Sequence, residues 1–254
     1  MCLLTFAYDT HPDYALVFAG NRDEFYERPA APATHWEDAP HVLAGRDLEA
    51  GGTWMGVTRN GHWAVVTNIR SPEAYRPEAR SRGALVAEYL KQEPPPEAYL
   101  RKIAADADQY NGFNVLLGTP TSLYYLSSRD GIVQALAPGI YGLSNAQLNT
   151  PWPKVETAKS ALRDMLGASV EPDALLELLA QREPFPPKQL PETGVGPETE
   201  RLLSPLFIES DAYGTRASTV LLIERTGRVT FVERTFDEGK PDGTRRFSFW
   251  VDPT

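Results

Sequence analysis

The chain of 254 residues has a single cysteine, Cys2, so no disulfide can form within it. Disulfides belong to oxidising compartments, and their absence favours a reducing one. No apolar run approaches the roughly 20 residues that a transmembrane helix needs. The N-terminus also lacks the basic segment, apolar core and cleavage site of a secretory signal. Together these absences predict a cytoplasmic protein with no stable membrane insertion.

Basic residues are also in short supply. Lys and Arg number 25 against 34 Asp and Glu, which gives a net charge of −9. Binding to nucleic acids depends on clustered Lys and Arg, so we expect no nucleic-acid partner. The chain holds four histidines and no His-x-x-x-His or Cys-x-x-Cys pair, and we predict no metal site. The histidines are expected in surface loops and turns: His11, His35, His41 and His62.

What the chain does contain is typical of a globular protein, with 42% hydrophobic and 10% aromatic residues. The 22 prolines and 19 glycines predict many turns. We find no internal repeat and no composition shift that would mark a boundary. The chain is therefore predicted to form one domain over residues 1–254.

Alternating and apolar runs predict short strands, and amphipathic runs predict helices. The order is strands, helices, strands, helices, strands, which favours an α+β fold of two stacked antiparallel sheets flanked by helices. Residues 25–48 contain Pro29, Pro32 and Pro40 and are predicted to form a long irregular loop. The predicted strands are 1–8, 14–19, 54–58, 63–67, 114–118, 123–127, 133–137, 140–144, 220–223, 229–232 and 247–251, and the predicted helices are 81–92, 96–107, 152–166, 173–181 and 198–203.

Cys2 lies directly after the initiator Met1, where a methionine aminopeptidase accepts a small neighbour. Removal of Met1 would leave an N-terminal cysteine. Its α-amine titrates near pH ~8 and its thiol near ~8.5, so one residue would supply both a nucleophile and its base. The alternative is that Cys2 is a small buried hydrophobic residue, as many free cysteines are.

Polar residues follow two of the predicted strands. Asn21-Arg22-Asp23-Glu24 follows the second, and hairpin geometry returns this segment to Cys2, so Asp23 is expected to face the N-terminal residue. Asn68 follows the fourth strand and is a candidate oxyanion donor. Both segments also suit plain turns, in which Asn and Asp bond to nearby backbone groups.

These segments, taken together, resemble the NRDE family, also called the transport and Golgi organisation protein 2 family. The resemblance rests on Met1-Cys2, Asn21-Arg22-Asp23-Glu24, Gly45-Arg46-Asp47, Gly52-Thr53-Trp54, Thr67-Asn68 and Gly214-Thr215-Arg216. The family is similar to N-terminal-nucleophile hydrolases of the penicillin V acylase and bile-salt hydrolase group. This similarity implies a four-layer αββα sandwich.

The resemblance also implies catalytic roles. Cys2 matches the nucleophile, Asp23 the aspartate that orients the amine, and Asn68 the oxyanion asparagine. Asn145 resembles a second asparagine of that site, and Arg216 resembles a late arginine that helps to set the thiol and amine pKa.

One position departs from the acylase pattern. Gly20 stands where the acylases carry an arginine, while Arg22 offers a guanidinium nearby. The departure affects the charge balance around Cys2.

Three functions from different classes remain open. The first is a cysteine amidohydrolase or acyl transferase that acts on a small-molecule amide or thioester through Cys2 without a cofactor. The second is a non-catalytic carrier of haem or of an acyl-CoA or lipid, and the third is an adaptor with a vestigial site. The predicted ligand contacts are Asn21, Arg22, Arg46 and Trp54.

Overall fold

The computed structural model describes residues 2–251. The strands are β1 (Cys2–Tyr8), β2 (Tyr14–Phe25), β3 (Ala30–Trp36), β4 (Ala39–Asp47), β5 (Met55–Thr58), β6 (Trp63–Asn68), β7 (Phe113–Gly118), β8 (Leu123–Ser127), β9 (Val133–Ala135), β10 (Gly139–Leu143), β11 (Tyr213–Glu224), β12 (Arg228–Asp237) and β13 (Lys240–Trp250). The α-helices are α1 (Gly83–Gln92), α2 (Pro96–Ala105), α3 (Pro153–Leu166), α4 (Pro172–Leu178) and α5 (Pro197–Leu202).

The strands form two antiparallel sheets. The first sheet has the order β10-β1-β2-β11-β12-β13, and the second has the order β3-β4-β5-β6-β7-β8-β9. The first sheet combines strands from both ends of the chain, and β1 lies in its interior between β10 and β2. The N-terminal segment is thus held by backbone hydrogen bonds on both sides.

Helices cover the outer face of each sheet. Helices α3 and α4 pack on the first sheet, while α1 and α2 pack on the second. Each of these four helices buries one apolar face, as in α1, where Leu85, Val86 and Leu90 are buried. This arrangement confirms the predicted α+β fold and its four αββα layers.

The two sheets face each other across a core of aromatic and aliphatic side chains. Phe6 of β1 and Phe18 of β2 both contact Trp63 of β6, with ring centroids 6.5 and 5.9 Å apart. Trp63 in turn lies over Gly118, where an added Cβ would fall 1.9 Å from Nε1 of the indole. The sheets are therefore joined by close aromatic packing near their centres.

The predicted irregular loop over residues 25–48 is wrong, because β3 and β4 form a hairpin there. Proline lacks a backbone N–H, so it is tolerated at a sheet edge or a bulge. Strand β3 is the edge strand, and its pairing with β4 shifts register between Ala31 and Thr34, around Pro32. Pro32 therefore marks a bulge in an edge strand, while Pro29 precedes β3 and Pro40 lies near the start of β4.

Strand β2 is also longer than predicted. Residues 20–24, predicted to follow the end of this strand, and Phe25 continue it because β11 pairs with them on the side away from β1. Asn21 to Glu24 are therefore strand residues whose side chains alternate between the two faces of the sheet.

Among the helices of residues 2–251, none has both the length and the apolar character that a membrane span requires.

Candidate active site

The register of β2 brings the candidate residues of the first sheet together. Cys2 pairs with Arg22, and Thr215 of β11 pairs with Asp23. These pairs lie at one end of the sheet, where a cleft of about 1340 Å³ opens between the layers. Its lining includes Cys2, Arg22, Asp23, Arg46, Trp54, Asn68 and Arg216.

The thiol of Cys2 is buried, with only 6% of the residue exposed. Burial, together with the charge of Asp23, raises the pKa of the thiol to about 11. The charge of Arg22 and a hydrogen bond from the backbone of Asp23 act in the opposite direction. At neutral pH the thiol is therefore protonated, and it needs a base before it can act as a nucleophile.

Asp23 is 1% exposed and accepts a hydrogen bond from the Thr215 hydroxyl at 2.7 Å. That hydroxyl oxygen also accepts the backbone N–H of Ile208 at 2.9 Å, which fixes its orientation. Burial raises the pKa of Asp23, while the charges of Lys154 and Arg22 and the hydrogen bond from Thr215 lower it. The Asp23 carboxyl group, near the end of β2, is thus held in place by Thr215 of the neighbouring strand β11.

Asn68 and Asn145 meet where the two sheets come together. Asn68 ends β6 of the second sheet, and Asn145 follows β10 of the first. The Nδ2 of Asn145 donates to the backbone carbonyl of Asn68 at 2.9 Å, and the Asn145 carbonyl accepts the N–H of Arg70 at 2.8 Å. Asn68 lines the cleft, whereas Asn145 is 1% exposed and lies behind it.

The side chain of Asn145 contacts protein groups on both its oxygen and its nitrogen. The single hydroxyl proton of Ser144 is shared between two acceptors, the Cys2 carbonyl at 3.0 Å and the side-chain oxygen of Asn145 at 3.2 Å. Asn145 is thus positioned to hold Asn68 and, through Ser144, the start of β1 in place. The oxyanion roles of Asn68 and Asn145 stay predictions.

Arg216 lies at a β-bulge, because the pairing of β11 with β2 shifts register between Thr215 and Ala217. A bulge redirects one side chain, here toward the cleft rim. The Nη1 of Arg216 donates to the carbonyls of Phe25, Tyr26 and Arg28 at 2.8 to 3.2 Å. Arg216 therefore fixes the turn after β2, and the arginine charge that favours the Cys2 thiolate comes from Arg22.

Asn21 does not line the cleft, contrary to its predicted role in ligand binding. It is fully buried, and its Nδ2 donates to the carbonyls of Leu179 and Leu206 at 3.0 and 2.8 Å. Its Oδ1 accepts the Ser218 hydroxyl at 2.6 Å. Because adjacent residues of a strand point to opposite faces of the sheet, Asn21 faces the helical layer and Arg22 faces the other way. Asn21 thus holds the segments around Leu179 and Leu206 against the first sheet.

Arg46 and Trp54 both border the cleft. The guanidinium of Arg46 makes two hydrogen bonds to Asp38, at 2.6 and 3.1 Å, and lies 4.3 Å from the centre of the Trp36 ring. Trp54 is partly buried against the packing between the sheets. The guanidinium of Arg46 is thus engaged by other protein groups, while Trp54 contributes an apolar surface to the cleft lining.

Several buried charges near Asp23 were not predicted. Lys154 of α3 is 3% exposed and donates to the Leu203 carbonyl at 2.9 Å. Burial lowers its pKa to about 8, and the charges of Asp23 and Cys2 partly oppose this shift. Arg70 forms a buried ion pair with Glu200 at 2.5 Å.

A sequence signal for Lys154 existed. Residues 154, 158 and 162 follow the i, i+4, i+8 spacing of a helix face, and Ala158 and Leu162 are buried. A lysine on that face must lie inside the protein. Arg70 and Glu200 are 130 residues apart and left no comparable pattern.

Gly20 has no room for the side chain that the acylases carry there. An added Cβ would lie 2.9 Å from Leu4 Cδ2 and 3.1 Å from Phe18 Cζ. An arginine would have to displace packed core groups. A guanidinium group at position 20 would therefore require the neighbouring core side chains to shift.

Among residues 2–251, no group of three or more His, Cys, Asp and Glu side chains is arranged to hold a metal ion.

Comparison with known proteins gives one family and one fold. The family model described as Transport and Golgi organisation 2 matches residues 1–238. The Transport and Golgi organization protein 2 homologs of Bos taurus and Homo sapiens are 37% and 34% identical to the chain, and each match covers 92% of both proteins.

Among solved structures, the C2A mutant of the conjugated bile acid hydrolase from Clostridium perfringens superimposes with a TM-score of 0.54. The match covers 98% of this chain and 92% of that one at 8% identity. It is a similarity of fold.

The two asparagines should respond differently to truncation. Asn145→Ala removes the partner of a buried carbonyl and should lower the free energy of unfolding by about 1–3 kcal/mol. Asn68→Ala serves as the matched control and should change it by less than about 0.5 kcal/mol. Urea denaturation followed by tryptophan fluorescence measures both. Equal losses would contradict the assignment of Asn145 as the supporting residue.

Proposed function

Because the chain belongs to the Transport and Golgi organisation 2 family and has the fold of the N-terminal-nucleophile hydrolases, we propose that it is a cysteine amidohydrolase or acyl transferase. The observation that carries the proposal is the shared cleft of Cys2, Asp23, Asn68 and Arg216. We also propose a cytoplasmic location, which the single cysteine supports.

The nucleophile requires the removal of Met1. The nitrogen of Cys2 is a peptide amide while residue 1 is attached, and it becomes an amine when residue 1 is cleaved. A free α-amine titrates near pH ~8, so a useful fraction is neutral and can accept the thiol proton. The raised pKa of the thiol makes this base necessary. Asp23, next to this end of β1, would orient the ammonium group that results.

The reaction then follows the usual course of acyl transfer. The thiolate attacks the carbonyl carbon of an amide or thioester, and the negative charge moves to the carbonyl oxygen. The side-chain amide of Asn68 donates a hydrogen bond to this oxyanion. The α-ammonium returns its proton to the leaving group as the C–N or C–S bond breaks, which leaves a thioester on Cys2. Water completes hydrolysis, and another acceptor completes transfer.

The test is turnover of a panel of acyl coumarin amides and acyl thioesters of different chain length. Loss of one oxyanion donor lowers kcat by about 10²–10³-fold, so Asn68→Ala should do so while the chain stays folded. Cys2→Ala should abolish turnover.

Asn111 offers a matched control. It lines the rim of the same cleft, and its side chain bonds to the backbone of Arg76. Asn111→Ala should keep turnover near the wild-type value. Turnover that survives Cys2→Ala would overturn the proposal.

The second candidate is a carrier, and the size of the cleft favours it. Small-molecule pockets are typically about 300–1,000 Å³, and the cleft exceeds this range at about 1340 Å³. A long acyl-CoA or lipid chain would use that space. No histidine is among the described residues that line the cleft, so haem bound there would need Cys2 or a tyrosine as its axial ligand.

Titration with palmitoyl-CoA and with hemin separates the carrier from the enzyme. If the protein is an enzyme, we expect the wild type to consume palmitoyl-CoA and the Cys2→Ala protein to bind it without turnover. Saturable binding that is identical in both proteins, with no product from either, would favour the carrier.

A further inference from the structure

Seven arginines line the cleft, and five of them are engaged by protein groups. Three form ion pairs with carboxylates, one bonds to Gln109 and lies over the ring of Tyr110, and one bonds to three backbone carbonyls. These five are Arg28, Arg46, Arg70, Arg80 and Arg216. The other two, Arg22 and Arg82, both lie close to the nucleophile.

The guanidinium groups of Arg22 and Arg82 have few partners among the described residues. Arg22 pairs with Cys2 across the β1–β2 ladder and forms one long ion pair, 3.7 Å from its Nη2 to Oε2 of Glu24. The charge of Arg22 also acts on Glu233, a buried residue of the cleft lining. Arg82 makes one hydrogen bond, from Nη1 to the Gly112 carbonyl at 3.2 Å, and has no ion pair within residues 2–251. Each guanidinium carries five N–H donors, so both retain donors for a ligand.

Arg82 is held at the cleft by a close backbone contact. It immediately precedes α1, and the N–H of Thr53 donates to the Gly83 carbonyl at 3.2 Å. An added Cβ on Gly52 would lie 2.5 Å from the carbonyl carbon of Gly83, so no side chain fits there. The Gly52-Thr53-Trp54 motif therefore fixes the start of α1, and with it Arg82, against the cleft wall.

The charged groups around the two guanidinium groups include both acids and bases, in a chain whose net charge is −9. Asp23 is opposed by the buried Lys154. Glu24 uses Oε1 to accept the N–H of Phe25 at 3.0 Å. Burial lowers the pKa of Arg82, and the charges of Glu24 and Cys2 are the strongest opposing influences. Arg22 and Arg82 thus face Glu24 and Glu233, and Glu233 already accepts the N–H of Ala33 at 2.6 Å.

We propose that Arg22 and Arg82 form a two-guanidinium site that binds a carboxylate or phosphate group of the acyl substrate next to Cys2. The inference rests on the proposed function and narrows its substrate class to anionic acyl compounds. Arginine suits this role because its planar fork binds both groups through paired hydrogen bonds. Arg82 supplies the second guanidinium, whereas one at position 20 would require the neighbouring core side chains to shift.

Alkylation of Cys2 tests the site without knowledge of the substrate. Iodoacetate and iodoacetamide differ by one negative charge, and both alkylate a thiolate. The iodoacetate-to-iodoacetamide rate ratio should exceed that of a small neutral thiol by about tenfold or more, as expected for one charge-assisted contact. Arg82→Gln should remove most of this excess by lowering the iodoacetate rate far more than the iodoacetamide rate, and Arg82→Lys should restore part of it.

Arg80→Gln is the matched control, because Arg80 lines the same cleft but is already bound to Gln109. It should keep the wild-type ratio. An Arg82→Gln protein with an unchanged ratio would overturn the proposal. So would an equal fall in both rates, since that outcome assigns Arg82 to thiol activation. Matching urea midpoints would exclude misfolding.

Calorimetry on the Cys2→Ala protein separates failure of this site from failure of the proposed function. Inorganic phosphate and propionate are titrated into Cys2→Ala with and without Arg82→Gln, and the ligand that binds identifies the preferred group. Saturable binding that Arg82→Gln abolishes supports the anion site even if Cys2 proves unreactive. Absence of binding by either ligand would overturn it even if Cys2 is catalytic.

Discussion

The pairing of β2 with two neighbours determines the candidate site. On one side β2 is paired with β1, which sets Cys2 opposite Arg22, and on the other with β11, which sets Thr215 opposite Asp23. A shift of one residue in either ladder would move these side chains to the opposite face of the sheet. The bulge at Arg216 directs the side chain of this residue to the turn after β2, where its Nη1 donates to the Phe25 carbonyl. Chemistry at this position thus depends on backbone register.

Burial sets the electrostatics of the site. Removal from water disfavours the charged forms of Cys2, Asp23 and Lys154, and the pKa of each group shifts accordingly. Lys154 and Arg22 partly compensate the charge of Asp23, and the charge of Glu24 opposes the effect of burial on Arg82. A buried thiol with a raised pKa is inert without a base, and a neutral amine on the same residue is the nearest base that the sequence can supply. The proposed site of Arg22 and Arg82 would bind an anionic group of the substrate next to this amine.

Much of the fold could be predicted because its signals are local. The helix at 83–92 and the strands at 55–58 and 63–68 follow apolar periodicity and turn residues that lie within ten positions of one another. The β3–β4 hairpin was missed because proline in an edge strand resembles proline in a loop. The extension of β2 was missed because its partner, β11, lies nearly 200 residues away.

The same distinction applies to the site. Hairpin geometry alone predicts that Asp23 lies close to Cys2, and the structure brings both into one cleft. Family resemblance suggested Asn145 and Arg216, but only the structure shows that their donors bind backbone carbonyls. Arg82 directly precedes α1 and Lys154 lies in α3. Their distance from Cys2 along the sequence does not predict that these helices pack close to it. Long-range packing therefore supplies the part of the site that sequence patterns do not.

The central claim is that the residue carrying the sulfur also carries a free amino group. The intact mass of the purified protein, followed by N-terminal sequencing, tests it most directly. The account predicts a chain that spans residues 2–254 and begins with cysteine. A catalytically active chain of residues 1–254 that retains its initiator methionine throughout would contradict it.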